Sequence, residues 1–127
     1  IFYCGTALFA NTSNAQCIQE MDYYEHGIPT VNSGDLIGVF IYQDGHYASF
    51  PSNPWDYTVT AEVYMYDGGR FLGRVDVSCS IFSSGVEFFA PQKPSVARNV
   101  LALLNLIVKD NTGKCGPYYF SKNFYYK

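Results

Sequence analysis

The sequence predicts an α+β domain in which one α-helix packs on a central antiparallel β-sheet, with an N-terminal hairpin and two disulfides. Three observations point there: capping residues followed by apolar residues at helical spacing, two long alternating segments around a glycine turn, and four dispersed cysteines. The 127 residues, 48% of them hydrophobic, suit a single domain, 1–127, with one core. Twelve Tyr and ten Phe, with frequent Val, Ile and Thr, favour pleated surfaces over a helical bundle, so strands should dominate.

Residues 1–4 and 7–10 are short apolar runs around Gly5-Thr6 and read as the N-terminal hairpin. Asn11-Thr12-Ser13-Asn14 then supplies N-cap residues, and Cys17, Ile18, Met21 and Tyr24 share one helical face before His26 and a stop at Gly27. Asn11-Thr12-Ser13 also matches the N-glycosylation sequon. Residues 36–42 form a near-continuous apolar run of the buried-strand type, and Asp44-Gly45 turns it into residues 46–51. Residues 57–66 and 70–79 flank Asp67-Gly68-Gly69 as a hairpin. On it Val59, Ala61, Val63 and Met65 share one face, as do Val75, Val77 and Cys79 of the returning strand. Arg74, Asp76 and Ser78 then point to the open side, where any site is expected. Residues 95–102 read as a short helical turn leading into a strand, and residues 117–126 as aromatic segments that complete an edge or face a partner.

The formal charge is −3, and the eight Lys and Arg are scattered, so the basic stripe that drives phosphate binding by counterion release is missing. Cys4, Cys17, Cys79 and Cys115 contain no C-x-x-C pair, and His26 and His46 are the only imidazoles. That pattern predicts disulfides in an oxidising compartment, with no metal and no other cofactor. Three connectivities are open. With Ile1 in place of an initiator Met, the chain reads as a mature secreted protein. Its longest apolar stretch, 100–108, is broken by Asn105 and falls short of the roughly 20 residues a membrane span requires, so a monomer free of membrane is expected.

Four features together resemble the fungal guanyl-specific ribonucleases: Ala15-Gln16-Cys17 leading to Tyr23-Tyr24; Ser49-Phe50-Pro51; Tyr66-Asp67-Gly68-Gly69 before Arg74-Val75; and the order of the cysteines. The resemblance implies nested bridges, Cys4 with Cys115 and Cys17 with Cys79. It also locates a vacated catalytic centre. Ser49 stands where the family has its carboxylate base, Glu87 where it has its histidine acid, and only Arg74 is retained for the phosphoryl charge. Ribonuclease activity is therefore not expected. Glu62 with Glu87, and His26 with His46, are the remaining acid–base pairs, although His26 is better placed to cap the expected helix.

The opening Phe2-Tyr3-Cys4 is similar to the aromatic-x-Cys start of ribonuclease-like effectors secreted by cereal powdery mildew fungi. Membership would imply translocation into the plant host cytoplasm, virulence through binding a host protein, and recognition by plant NLR immune receptors. The candidate contact residues are Trp55, Arg74, Asp76, Tyr118 and Tyr125. RNA binding without cleavage is the alternative that the retained Arg74 and the aromatic residues suggest.

Overall fold

Alternation between inward and outward side chains organises nearly the whole chain. The computed structural model describes residues 17–127, and among them are ten strands and no α-helix. The strands are β1 (Glu20–Asp22), β2 (Thr30–Val31), β3 (Leu36–Gln43), β4 (His46–Tyr47), β5 (Tyr57–Asp67), β6 (Arg70–Val77), β7 (Ser80–Phe82), β8 (Gly85–Phe89), β9 (Val100–Asp110) and β10 (Tyr118–Tyr126). They form a five-stranded sheet in the order β2-β10-β9-β5-β6 and a second sheet in the order β1-β3-β8-β7, with β4 paired to β3.

Each sheet buries one face against the other. Ile37, Val39 and Ile41 of β3, Val86 and Phe88 of β8, Ala61, Val63 and Met65 of β5, and Ala102, Leu104 and Leu106 of β9 belong to one continuous core. Phe88 of one sheet meets Phe124 of the other, ring centres 6.2 Å apart. The hairpin expected around Asp67-Gly68-Gly69 forms, with Gly68 and Gly69 both at positive φ as a tight turn requires.

The predicted α+β class is therefore wrong: the apolar face of the β5–β6 hairpin packs on a second sheet and not on a helix. The segment expected to be helical holds β1 and a 3-10 turn at Tyr24–His26. Met21 points into the core opposite Ile41 while Glu20 and Asp22 face outward, and Tyr24, which a helix would have buried beside Met21, is 67% exposed. Ladder bonds to β3 and burial by the opposite sheet override a short helical pattern that had little stability of its own. The helical turn over 95–102 is likewise absent; a single turn closed by the Ala97 N–H on the Pro94 carbonyl leads into β9. The expected N-terminal hairpin, the Asn11 sequon and Cys4 lie outside the described residues.

Neither expected nested bridge is present. Cys17 is bonded to Cys115, with Cα atoms 5.8 Å apart, and Cys79 is a free thiol. Cys17 enters beside β10, where the Ile18 N–H donates to the Tyr118 hydroxyl at 3.1 Å. Cys79 lies on the crossover from β6 to β7, half buried, and burial pushes its thiol up to about 11.

Asp110 shapes the loop that delivers Cys115. Its carboxylate accepts from the Thr112 hydroxyl (2.6 Å), the Thr112 N–H (2.9 Å) and the Cys115 N–H (3.2 Å). Burial alone would raise this carboxyl, but those bonds and Lys114 outweigh it and hold it below its ordinary 3.8. A group lowered in the folded state adds stability that is complete above its unfolded value and is lost as pH falls through its folded value. Thermal melts from neutral pH downward should therefore show stability declining below about pH 4, with a shallower decline in Asp110→Asn. An unchanged acid profile in that variant would refute the assignment.

Candidate functional site

The outward face of the β1-β3-β8-β7 sheet carries a continuous aromatic shelf. Along β3, Leu36, Gly38, Phe40 and Tyr42 alternate with the buried Ile37, Val39 and Ile41, so the strand presents rings to solvent and β-branched chains to the core. Phe40 and Phe82 lie in one row across the sheet, with Gly85 between them. Because Gly85 has no side chain, the two rings meet across it at 5.9 Å. Tyr42 faces Tyr47 on β4, centroids 5.0 Å apart.

The 3-10 turn folds back over this face and adds two more rings. Tyr24 contacts Phe40 edge-on at 6.4 Å and stacks on Tyr47 at 6.0 Å. His26 stacks on Tyr47 at 5.8 Å and meets Tyr42 edge-on at 4.6 Å. Both Glu25 and His26 sit at positive φ (56° and 59°), a conformation costing each non-glycine residue about 1 kcal/mol or more. Specific bonds hold it. The Tyr47 hydroxyl donates to the Tyr23 carbonyl and accepts from the His26 N–H at 3.2 Å. His26 Nδ1 lies 2.6 Å from Asp22, and Lys122 reaches the other Asp22 oxygen at 3.3 Å. Burial works against the Asp22 carboxylate, yet the His26 bond, the Tyr23 N–H and the Lys122 charge hold it below its ordinary value.

The shelf borders a cavity of about 320 Å³ between the turn and β3, lined among others by Tyr24, Ile28, Leu36, Gly38 and Phe40. Its walls are mainly apolar, and it lies at the lower end of the roughly 300–1,000 Å³ typical of ligand sites. Ring–ring contacts worth about 0.5 to 1.5 kcal/mol each keep the side chains in place, so little ordering entropy remains to be lost on binding.

The residues expected to mark a vacated catalytic centre do not meet. Arg74 is on the outward face of the five-stranded sheet and Glu87 on the outward face of the other, with the core between them. Ser49 is exposed on the loop after β4. Arg74 is held by Glu62 (3.0 Å) and Asp76 (2.6 Å), and the Tyr64 hydroxyl donates to Glu62 at 3.3 Å. Its charge is matched twice over, which leaves it poorly suited to a phosphate. Glu62 and Glu87, on opposite sides of the molecule, form no carboxylate pair. His26 caps no helix, and His46 Nδ1 lies 3.1 Å from the Tyr47 carbonyl.

The other candidate contacts are dispersed. Tyr125 is on the outward face of the five-stranded sheet, in a row with Leu101, Tyr66 and Phe71. Tyr118 is half buried and stacks on Phe120 at 6.1 Å. Trp55, 76% exposed, rides a 3-10 turn (Pro54–Asp56) that lies beside β7, and the Ser52 hydroxyl donates to Asp56 to close that turn. Among the described residues no three His, Cys, Asp or Glu side chains gather as metal ligands, and no helix is long and apolar enough to cross a membrane. The chain matches no family model, no curated protein and no solved structure.

Proposed function

We propose that this protein is a secreted binding domain of the effector type that acts on a plant host protein by contact and not by catalysis. The observation that carries the reading is the aromatic shelf: Tyr24 exposed over half-buried Phe40, Tyr42, Tyr47 and Phe82 beside a small apolar cavity, on a sandwich closed by a disulfide. Aromatic anchors of this kind dominate protein–protein binding energy, and a disulfide suits a protein made for an oxidising compartment. The Phe2-Tyr3-Cys4 motif resembles the aromatic-x-Cys of the effector class and favours it and, with it, recognition by an NLR receptor. The ribonuclease scaffold is no longer part of the proposal. RNA binding is the weaker reading, since Arg74 is already neutralised by two carboxylates.

Two measurements test this. Purified protein on guanosine-containing RNA, beside an active guanyl ribonuclease, should give no cleavage above buffer; robust cleavage abolished by Arg74→Ala would overturn the proposal. A host protein recovered with the chain from plant cells should rebind it when both are pure. Tyr24→Ala with Phe40→Ala should weaken that complex by about 10- to 100-fold, with Arg74→Ala within about twofold of the unaltered chain. The reverse pattern, or salt-sensitive RNA binding with no protein partner, would exclude the shelf as the working surface.

A further inference from the structure

Tyr23 follows β1 and is 4% exposed, its ring part of the core. Its main chain is fixed at both ends: the N–H donates to Asp22 at 2.8 Å, and the carbonyl accepts from the Tyr47 hydroxyl and, at 3.0 Å, from the His26 N–H. The side chain ends without such support. Among the described residues, the Tyr23 hydroxyl is the one buried side-chain polar atom that meets no hydrogen-bond partner. A hydroxyl sealed in this way forfeits its hydration, and nearly all such groups in folded proteins are paired.

Tyr23 also lines the cavity of about 320 Å³ beside the turn, with Ile28, Pro29, Leu36, Ile37 and Phe40. Those neighbours have no polar side-chain atom, so a water at the hydroxyl would find few of the about three polar partners that normally retain one. No lining residue carries a charge. Burial and the Asp22 carboxylate together hold the Tyr23 hydroxyl protonated far above neutral pH, so it is a donor, and the same carboxylate disfavours an anion beside it. An apolar cavity of about 150 Å³ takes benzene, so this one has room for a ring with a substituent.

We propose that the cavity binds a small neutral ring compound bearing one hydrogen-bond acceptor, a carbonyl or ether oxygen, with that oxygen accepting from the Tyr23 hydroxyl. The walls cover the ring and the single polar group sets its orientation, as in most ligand pockets. Tyr23 and Ile28 also line the neighbouring groove by Asp22 and Lys122, so together they form the partition between the two hollows. Ile28 is exposed, and an exposed side chain changes rotamer within nanoseconds, which opens the way to the hydroxyl. The proposal does not rest on the host-protein reading, since a cavity ligand needs no partner protein.

Three probes that share a benzene ring test it by nuclear magnetic resonance: acetophenone has a neutral acceptor, ethylbenzene has none, and benzoate is charged. Acetophenone should shift the Tyr23, Ile28 and Gly38 signals of the isotope-labelled chain with a Kd of about 1 mM. Ethylbenzene and benzoate should each bind about fivefold or more weakly. Tyr23→Phe removes the unpaired hydroxyl, so it should melt at the same temperature or higher and bind acetophenone no better than ethylbenzene. A lower melting temperature would mean that the hydroxyl is already paired within the chain, and would overturn the proposal. So would acetophenone that leaves those three signals unmoved, ethylbenzene or benzoate binding the unaltered chain equally well, or a preference for acetophenone that survives Tyr23→Phe. The comparison of probes on the unaltered chain decides even if the variant misfolds. None of these results bears on the host-protein complex, which Tyr24→Ala with Phe40→Ala tests separately.

Discussion

Cys115→Ser, or reduction of the Cys17–Cys115 bridge, should lower stability by about 4 to 5 kcal/mol. The bridge closes a loop of 98 residues, nearly everything described, and loop-closure entropy grows with the logarithm of that length. Against a total of about 5 to 15 kcal/mol for a domain, little margin would remain, and the melting temperature should fall by about 15–20 °C. The Asp110 loop would suffer as well, because it is built to present Cys115. Cys79→Ser is the control. As a free, half-buried thiol its loss should cost about 1 kcal/mol, whereas nested bridges would make the two substitutions comparably severe. Paired denaturation curves, with peptide mapping of the oxidised protein, distinguish these outcomes; equal losses at Cys79 and Cys115 would defeat the assignment.

Gly85→Ala should cost about 3 kcal/mol or more, a large effect for one methyl group. A Cβ at Gly85 would come 2.3 Å from the Val39 carbonyl oxygen and 2.8 Å from the Phe40 Cα, both backbone atoms that no rotamer change can move aside. β3 and β8 would have to separate where they pair, and the Phe40–Phe82 contact across Gly85 would open. Folding and the aromatic shelf should therefore fail together. Gly113→Ala, on a loop with open space around it, should cost only about 1 kcal/mol from its positive φ. Urea titrations of the two variants settle the comparison, and a Gly85→Ala midpoint close to that of Gly113→Ala would refute the close-approach argument.

The parts of the fold legible in the sequence were those governed by neighbouring residues. The β5–β6 hairpin, the β3 run and the Asp44-Gly45 turn follow from local alternation and turn chemistry, and they formed where expected. The β1 region was misread because Cys17, Ile18, Met21 and Tyr24 fit helical spacing, while the partner that makes Met21 a strand residue, Ile41, lies 20 positions away. The cysteine pairing depended on which layer covers the hairpin, and that is a long-range fact. Arg74 was placed correctly on an outward face, yet Ser49 and Glu87 could not be assigned to a common side without knowing that two sheets exist. The shelf did leave a local trace. In residues 36–42, Ile37, Val39 and Ile41 are all β-branched, while the interleaved positions are Leu36, Gly38, Phe40 and Tyr42. An apolar run sorted in this way has two different faces, and reading it as uniformly buried concealed the exposed one.

That sorting also bears on how such a chain can diverge. On β3 the scaffold is written in one set of alternate positions and the surface in the other. Descendants of one ancestor could exchange Phe40 and Tyr42 for other side chains, and one partner for another, while keeping Ile37, Val39 and Ile41 and the sandwich they support. Kinship among such chains would survive in every second residue of a strand and fade in between, so common origin would outlast common recognition.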